Sequence, residues 1–201
     1  MTFTARVVAI GVAWLALAVI AGRLGFVARL RPPLPQLILL GMTVVLLLLG
    51  TKLQSFRSWL LSIDLRAVVA LHLTRILAGS PFLFYHTRGE LPTTFALPAG
   101  WGDIVVGTLA LVVLLIPPSH TAAGRSYLIW NVIGLLDILM VVASAAVHAM
   151  RVPESVAALL RLPLSVLPTW LVPLVIASHV LVFVRVFSPP LRSSPFGRTP
   201  S

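Results

Sequence analysis

Five ionisable side chains lie deep inside long apolar runs of the sequence. They are His72, Arg75, Asp103, Asp137 and His179, and they fall on four different runs. With a rise of about 1.5 Å per helical residue, their depths are about 12 to 20 Å from one membrane face. A charge at the bilayer centre costs about 2.5–3.5 kcal/mol, so such groups normally face a partner or water. The sequence therefore predicts that these side chains converge in the middle of a helix bundle.

Spacing within two of the runs supports this convergence. His72 and Arg75 are three residues apart and share a helix face with Gly79. A later run carries a mostly polar stripe at helical spacing, with Asn131 beside it: Trp130, Gly134, Asp137, Val141, Ser144 and His148. An arginine at this depth keeps its proton and needs a counter-charge, so we expect Arg75 to contact Asp137.

Two hypotheses for these residues need no cofactor. One is ligand binding, and the other is a purely structural role. In the first, Arg75 and the N-terminus of a helix beginning after Gly102 hold a small anionic or lipid-like ligand, while Asp137 and the histidines relay protons. This describes a proton-linked carrier or a binding protein. In the other, the polar core only fixes the bundle of a structural or accessory subunit. In either case Asp103, which follows Gly102, can be the N-cap of the fourth span.

Two further chemistries need a cofactor. A single haem fits between the third and sixth spans if His72 and His179 are its ligands. Alternatively, His72, His179, Asp103 and Asp137 bind a divalent metal that activates water for intramembrane hydrolysis. The sequence has no serine-based, glycine-rich phosphate-binding or cysteine motif, which argues against most other enzymes.

The elements that must position these residues are membrane helices. Hydrophobic residues make up 59% of the 201 residues and charged residues only 10%, far from the composition of a soluble domain. The sequence predicts an all-α polytopic bundle in the lipid bilayer, formed by residues 1–187 as one domain. A disordered Ser/Pro/Arg-rich tail, 188–201, follows. Six spans are expected, within residues 6–23, 32–51, 63–85, 91–116, 127–147 and 162–184, with a short interfacial helix at 153–161.

The fourth span is short of apolar residues. Residues 104–116 alone would form a helix of about 20 Å, against a hydrocarbon core of about 30 Å. Residues 91–102 must supply the missing depth, either as a kinked first half of the span or as a re-entrant piece. Pro92, Pro98, Gly100 and Gly102 are expected to shape this interrupted segment as a loop against a cavity.

The charge of the chain is explained by the membrane. The net charge is +10, but the basic residues, nearly all arginine, stand between the apolar runs instead of clustering on one face. This pattern is typical of membrane-edge anchoring and argues against a nucleic-acid partner. The arginine-rich, lysine-poor composition is typical of a bacterial protein, which would lie in the inner membrane. The absence of cysteine excludes disulfides, thiolate metal sites and cysteine nucleophiles.

A pattern of small and polar residues connects the fourth and fifth spans. It comprises Leu91-Pro92, Phe95-Ala96, Pro98-Ala99-Gly100, Gly102-Asp103 and Gly107, followed by Trp130-Asn131, Gly134 and Asp137. Over residues 70–185 the chain resembles a family of small, uncharacterised bacterial multi-pass membrane proteins. The resemblance implies an integral membrane protein and carries no activity with it.

Overall fold

The computed structural model describes residues 1–116 and 122–187, and of residues 122–124 only the backbone. This part of the chain contains eight α-helices and no β-strand. The helices are α1 (Phe3–Arg23), α2 (Leu34–Lys52), α3 (Gln54–Ser62), α4 (Leu65–Leu71), α5 (Thr74–Thr87), α6 (Thr93–Leu115), α7 (Ala122–Arg151) and α8 (Val172–Phe187). Two 3₁₀ segments, Val27–Arg29 and Pro153–Leu160, and a π-helical turn, Leu167–Leu171, complete the described elements. The predicted tail, 188–201, lies outside the described residues.

Six of these stretches are long and apolar enough to cross a membrane, as the sequence predicts. They are α1, α2, α4 with α5 (Leu65–Thr87), α6, α7 (from Arg125) and the π-turn with α8 (Leu167–Phe187). The prediction of an all-α bundle with six spans is confirmed, and the chain is a multi-pass membrane protein. The sixth span begins at Leu167, five residues later than predicted, because residues 162–165 form turns. Before them, residues 153–160 form a 3₁₀ segment that packs on α7.

The fourth span corrects the expected loop. Helix α6 begins at Thr93, directly after Pro92 with its extended backbone, and continues to Leu115. Residues 93–102 therefore form the first half of this span, as one of the two alternatives predicted. The other alternative, a re-entrant piece, is wrong. Pro98, Gly100 and Gly102 lie inside the helix and shape no loop. Pro98 removes one backbone hydrogen bond without ending the helix, which membrane helices tolerate.

Glycines instead bring α5 and α6 into close contact. A Cβ atom on Gly79 would lie 2.5 Å from the carbonyl oxygen of Gly100, and one on Gly107 would lie 3.0 Å from the backbone nitrogen of Ile76. At Gly100 a Cβ would meet Leu83 at 2.6 Å. Small residues are what allows membrane helices to approach this closely, because lipid provides no hydrophobic drive for helix association.

Helices α1 and α2 lie at the periphery, with most of their residues exposed. Helix α1 is attached by two indole hydrogen bonds: Trp14 Nε1 donates to the carbonyl of Thr169 at 2.9 Å, and Trp170 Nε1 donates to that of Gly11 at 3.1 Å. Helix α3, which the sequence analysis did not predict, buries no residue. It is held to the start of α1 by a hydrogen bond from Trp59 to Thr4.

Hydrogen bonds join the helices at the two ends of the bundle, which we call the N-terminal face and the opposite face. At the N-terminal face, Arg185 donates to the carbonyls of Leu61 and Ile63 at 2.7 and 2.8 Å, and Arg66 to that of Leu114 at 2.6 Å. At the opposite face, Tyr85 donates to the carbonyl of Leu162 at 3.4 Å. Both arginines thus satisfy backbone carbonyls at or just beyond helix ends.

Two apolar clusters enclose the middle of the bundle. The N-terminal-face cluster consists of Val68, Val69, Val106, Ala110, Val113, Tyr127, Trp130 and Val182. The opposite-face cluster consists of Phe82, Leu91, Phe95, Ala96, Ala99, Val141, Val156, Ala158 and Leu164. The buried polar side chains of the third to sixth spans lie between them.

Candidate functional site

A break in the third span places His72 and Arg75 on one side. Around His72 and Leu73 the backbone bonds are of the i→i+3 type: His72 N–H donates to Val69 at 3.0 Å, and Arg75 N–H donates to His72 at 3.1 Å. In such a 3₁₀ turn, side chains three residues apart eclipse each other. His72 and Arg75 are accordingly both buried and point into the bundle.

Arg75 joins three helices through its guanidinium group. Its Nε donates to Asp103 Oδ1 of α6 at 2.6 Å, and its Nη2 donates to Asp137 Oδ2 of α7. Its Nη1 donates to the backbone carbonyl of Gly134 at 3.0 Å. The predicted contact between Arg75 and Asp137 is present, and Asp103 is a second partner. We call Arg75, Asp103 and Asp137 the triad.

The triad is not balanced in charge. With both carboxylates ionised, one positive charge faces two negative charges. The exposed fraction of the side chain is 1% for Arg75, 6% for Asp103 and 13% for Asp137. Charges this far from water are costly unless they are paired, and one carboxylate exceeds the pairing that a single arginine provides. The site therefore has a place for one additional positive charge, and the smallest such charge is a proton.

The two histidines form a second polar group, in contact with the first. His72 Nε2 lies 3.0 Å from Ser178 Oγ, whose own hydrogen goes to the carbonyl of Val175 at 2.8 Å, so His72 Nε2 is the donor. His179 Nδ1 donates to Asn131 Oδ1 at 2.7 Å, and Asn131 returns a hydrogen bond to the His179 carbonyl at 3.1 Å. The remaining nitrogens, His72 Nδ1 and His179 Nε2, have no partner among the described residues.

Aromatic packing closes the space around the histidines. The His72 and His179 rings are 4.3 Å apart between centroids, and Trp130 lies against both at 4.7 and 5.5 Å. The Trp130 indole donates to the carbonyl of Val106 at 3.1 Å. A haem ligated by two histidines has one imidazole on each side of the porphyrin, and directly packed rings leave no room for it. The haem hypothesis does not fit this arrangement.

The metal hypothesis meets a similar difficulty. Among the described residues, no group of three or more His, Asp, Glu or Cys side chains is arranged to hold a metal ion. Asp103 and Asp137 are directed at Arg75, and His72 and His179 are held by Ser178 and Asn131. Both carboxylates therefore face Arg75, and the two free histidine nitrogens alone do not make up the set of four ligands.

Gly134 links the two polar groups. Its carbonyl accepts from Arg75, and a Cβ atom at this position would lie 2.6 Å from Cε1 of His179. The structure thus brings together all the residues that the sequence singled out for ligand binding or proton relay: His72, Arg75, Asp103, Asn131, Asp137 and His179. It adds Ser178 and the Gly134 carbonyl. Ser178 had no sequence signal, since serine is common in membrane helices.

The expected anion cradle is not formed as predicted. Because α6 begins at Thr93, Gly102 and Asp103 lie in the helix interior, no helix N-terminus follows Gly102, and Asp103 is not an N-cap. Gly102 has a different role, since a Cβ there would clash with Asp137 Oδ1. Beside Arg75 and Asp103 there is a cavity of about 20 Å³ with mainly apolar walls, room for about one water molecule.

Comparison with known proteins identifies a family. No curated protein and no solved structure matches the chain. The family model described as "Domain of unknown function (DUF8737)" matches residues 32–187, most of the chain, from the beginning of the second span to the end of α8. This range contains every residue of the site and the region 70–185 in which the sequence resembles a family of uncharacterised proteins. The chain therefore belongs to the DUF8737 family.

Proposed function

We propose that the protein is a proton-linked carrier of a small anionic ligand in the bacterial inner membrane, with the triad as its proton-binding site. The observation that carries the proposal is the position of Arg75 between two carboxylates from two other helices. Intramembrane ionisable residues that face a bundle interior mark ion and substrate pathways in membrane proteins.

One proton changes what Arg75 can bind. In the ionised triad, Arg75 is engaged by both carboxylates. When Asp137 is protonated, its charge-assisted hydrogen bond to Nη2 is replaced by a weaker one to a neutral group. Arg75 can then accept a carboxylate or phosphate group of a ligand in place of Asp137. Binding of the proton and of the anion therefore favour each other, as a symporter requires.

Asp137 is the more accessible of the two carboxylates to a proton that arrives from water. Its side chain is more exposed than that of Asp103 and lies at the boundary between α6 and α7, beside Gly102. The free nitrogens of His72 and His179 are hydrogen-bond acceptors at the same depth, because each neutral imidazole already donates through its other nitrogen. The anion can come from water or from a lipid headgroup, since both present the same carboxylate or phosphate chemistry.

Proteoliposomes test the proposal. Purified protein is reconstituted around a pH-sensitive dye, and small carboxylates, inorganic phosphate or short-chain anionic lipids are added under a pH gradient. We expect proton movement that depends on at least one of these solutes and is abolished in Arg75→Gln. Arg88→Gln is the matched control, because Arg88 is 60% exposed and pairs with Glu90 outside the bundle core. Equal proton movement with and without every solute, or in both variants, would refute the carrier.

A second candidate is a structural or accessory membrane subunit. The direct backbone contact between Gly79 and Gly100 and the three hydrogen bonds of Arg75 favour it, since both serve to hold helices together. In this case Asp137→Asn would change the stability of the bundle. The parent protein itself would show no solute-dependent proton movement. The proteoliposome assay thus separates the two candidates.

A further inference from the structure

We infer that the boundary between α6 and α7 is the path by which protons reach Asp137, and that it opens to the face of Arg151; this inference rests on the proposed function. The boundary, which we call the α6–α7 seam, is formed by Thr94, Pro98 and Gly102 on α6 and by Asp137, Ser144 and His148 on α7. The residues on α6 recur every four positions, and those on α7 are seven and four apart, so each set lies along one helix face.

Two contacts fix the course of the seam. At its deep end, the carboxylate of Asp137 occupies the space that a side chain at Gly102 would fill. At its outer end, His148 Nε2 lies 3.0 Å from Thr94 Oγ1. Because α6 and α7 are antiparallel, Pro98 and Ser144 come between these two contacts. These contacts mark the two ends of the seam, and the buried Val141 lies between Asp137 and Ser144 on the same stripe of α7, so a proton must pass beside it.

The outer half of the seam carries groups that can pass on a proton. His148 Nδ1 lies 2.8 Å from the carbonyl of Ser144 and 3.5 Å from its hydroxyl, while Nε2 contacts Thr94. Histidine with both nitrogens in hydrogen-bond contact is suited to proton transfer. Pro98 lacks an N–H group and cannot donate the usual helix hydrogen bond to the carbonyl of Thr94. This carbonyl can therefore bind water. Ser144 and Asp137 are about 10 Å apart along α7, a gap that water molecules must bridge.

The cavity beside Arg75 and Asp103 has room for about one water molecule, and two apolar clusters lie across the axis of the bundle. The N-terminal-face cluster seals the bundle on one side of the polar layer, and the opposite-face cluster seals its axis on the other. The seam passes beside the second cluster, whose Phe95 ring lies 6.0 Å from the His148 ring. Charged groups of the neighbouring elements at this end include Arg151 on α7, Glu154 in the 153–160 segment, and Glu90 before α6, which pairs with Arg88 and Arg161. They place the outer end of the path at the membrane surface.

Single cysteines test the path, because the chain has none of its own. Ser144→Cys is compared with Val147→Cys, which lies nearer to the membrane face but on the lipid-facing side of α7, 40% exposed. A membrane-impermeant thiol reagent is added to one side of oriented vesicles. We expect Ser144→Cys to react about tenfold faster than Val147→Cys, and only from the Arg151 side, because a thiol must ionise in water to react. Thr94→Cys serves in the same way if Ser144→Cys does not fold.

The second step asks whether the path leads to Asp137. A water-soluble carbodiimide modifies Asp137, and the extent is measured by mass spectrometry. Blocking the cysteine at position 144 with a bulky thiol reagent should reduce this modification severalfold, while the same treatment of Val147→Cys should not. Equal reactivity of the two cysteines, reaction from both sides, or undiminished modification of Asp137 would each overturn the path. None of these outcomes affects the solute-dependent proton movement that tests the carrier itself.

Discussion

Either carboxylate of the triad should be able to balance Arg75 alone, and this can be measured by removing charges one at a time. In Asp137→Asn, Arg75 keeps Asp103 at 2.6 Å and the surplus negative charge disappears. The amide also keeps an oxygen that can accept from Nη2. We therefore expect Asp137→Asn or Asp103→Asn to lower the free energy of unfolding by only about 1 kcal/mol.

Removing both carboxylates has a different effect. In the double variant Asp103→Asn/Asp137→Asn, the buried guanidinium loses every counter-charge, at a cost of about 3–5 kcal/mol. The loss exceeds the sum of the single variants by about 1–3 kcal/mol, the range expected for groups in one network. Arg75→Gln leaves two unpaired carboxylates and should be as severe as the double variant. Arg88→Gln, at an exposed ion pair, should change stability by less than about 0.5 kcal/mol.

The assay is reversible unfolding by sodium dodecyl sulfate in mixed micelles, followed by circular dichroism. All variants are measured in the same micelle composition, so that only differences between them are interpreted. Additive losses for the two asparagine variants would mean that Asp103 and Asp137 do not share Arg75. An Arg75→Gln variant as stable as Arg88→Gln would mean that the triad is not buried in the folded protein.

Three further predictions concern packing and topology. Gly107→Ala should destabilise the bundle in the same unfolding assay, because its Cβ would lie 2.6 Å from the Ile76 side chain and 3.0 Å from the Ile76 backbone nitrogen. The control is Gly41→Ala, where a Cβ would have no atom within 4 Å. It should leave stability unchanged or raise it by up to about 1 kcal/mol. Asn131→Leu should cost about 1–3 kcal/mol, since it leaves His179 Nδ1 without a partner and removes the hydrogen bond from the amide to the His179 carbonyl; a variant as stable as the parent would contradict this. Cysteines at positions 2 and 199 should be labelled from the same side of the membrane, and labelling from opposite sides would exclude six spans.

The sequence is sufficient to predict the bundle and most of the site, for one physical reason. Charges cannot remain in hydrocarbon without partners, so Arg75 and Asp137 had to meet once both were placed at the same depth. The apolar runs fix the spans in the same way, because a membrane helix must be long enough to cross. Asn131 and His179 follow from their place on the polar faces of α7 and of the sixth span.

The sequence does not reveal where the helices are irregular. Pro98, Gly100 and Gly102 look like loop residues, but in a membrane helix glycine allows close packing, and neighbouring helices compensate for proline. The actual break, at His72 and Leu73, has no glycine or proline to mark it. The break places His72 and Arg75 on one side of the span, where both are buried. Helix α3 was missed because its polar and aromatic residues give no long apolar run.

The most direct test of the central claim is infrared difference spectroscopy of the reconstituted protein between alkaline and acidic buffer. A triad that binds one proton predicts a carbonyl band of a buried carboxylic acid that appears on acidification. The band should shift or disappear in Asp137→Asn and be absent from Asp103→Asn/Asp137→Asn, while Glu154→Gln leaves it unchanged. A spectrum without such a band, or a band that survives in the double variant, would contradict proton binding by the triad.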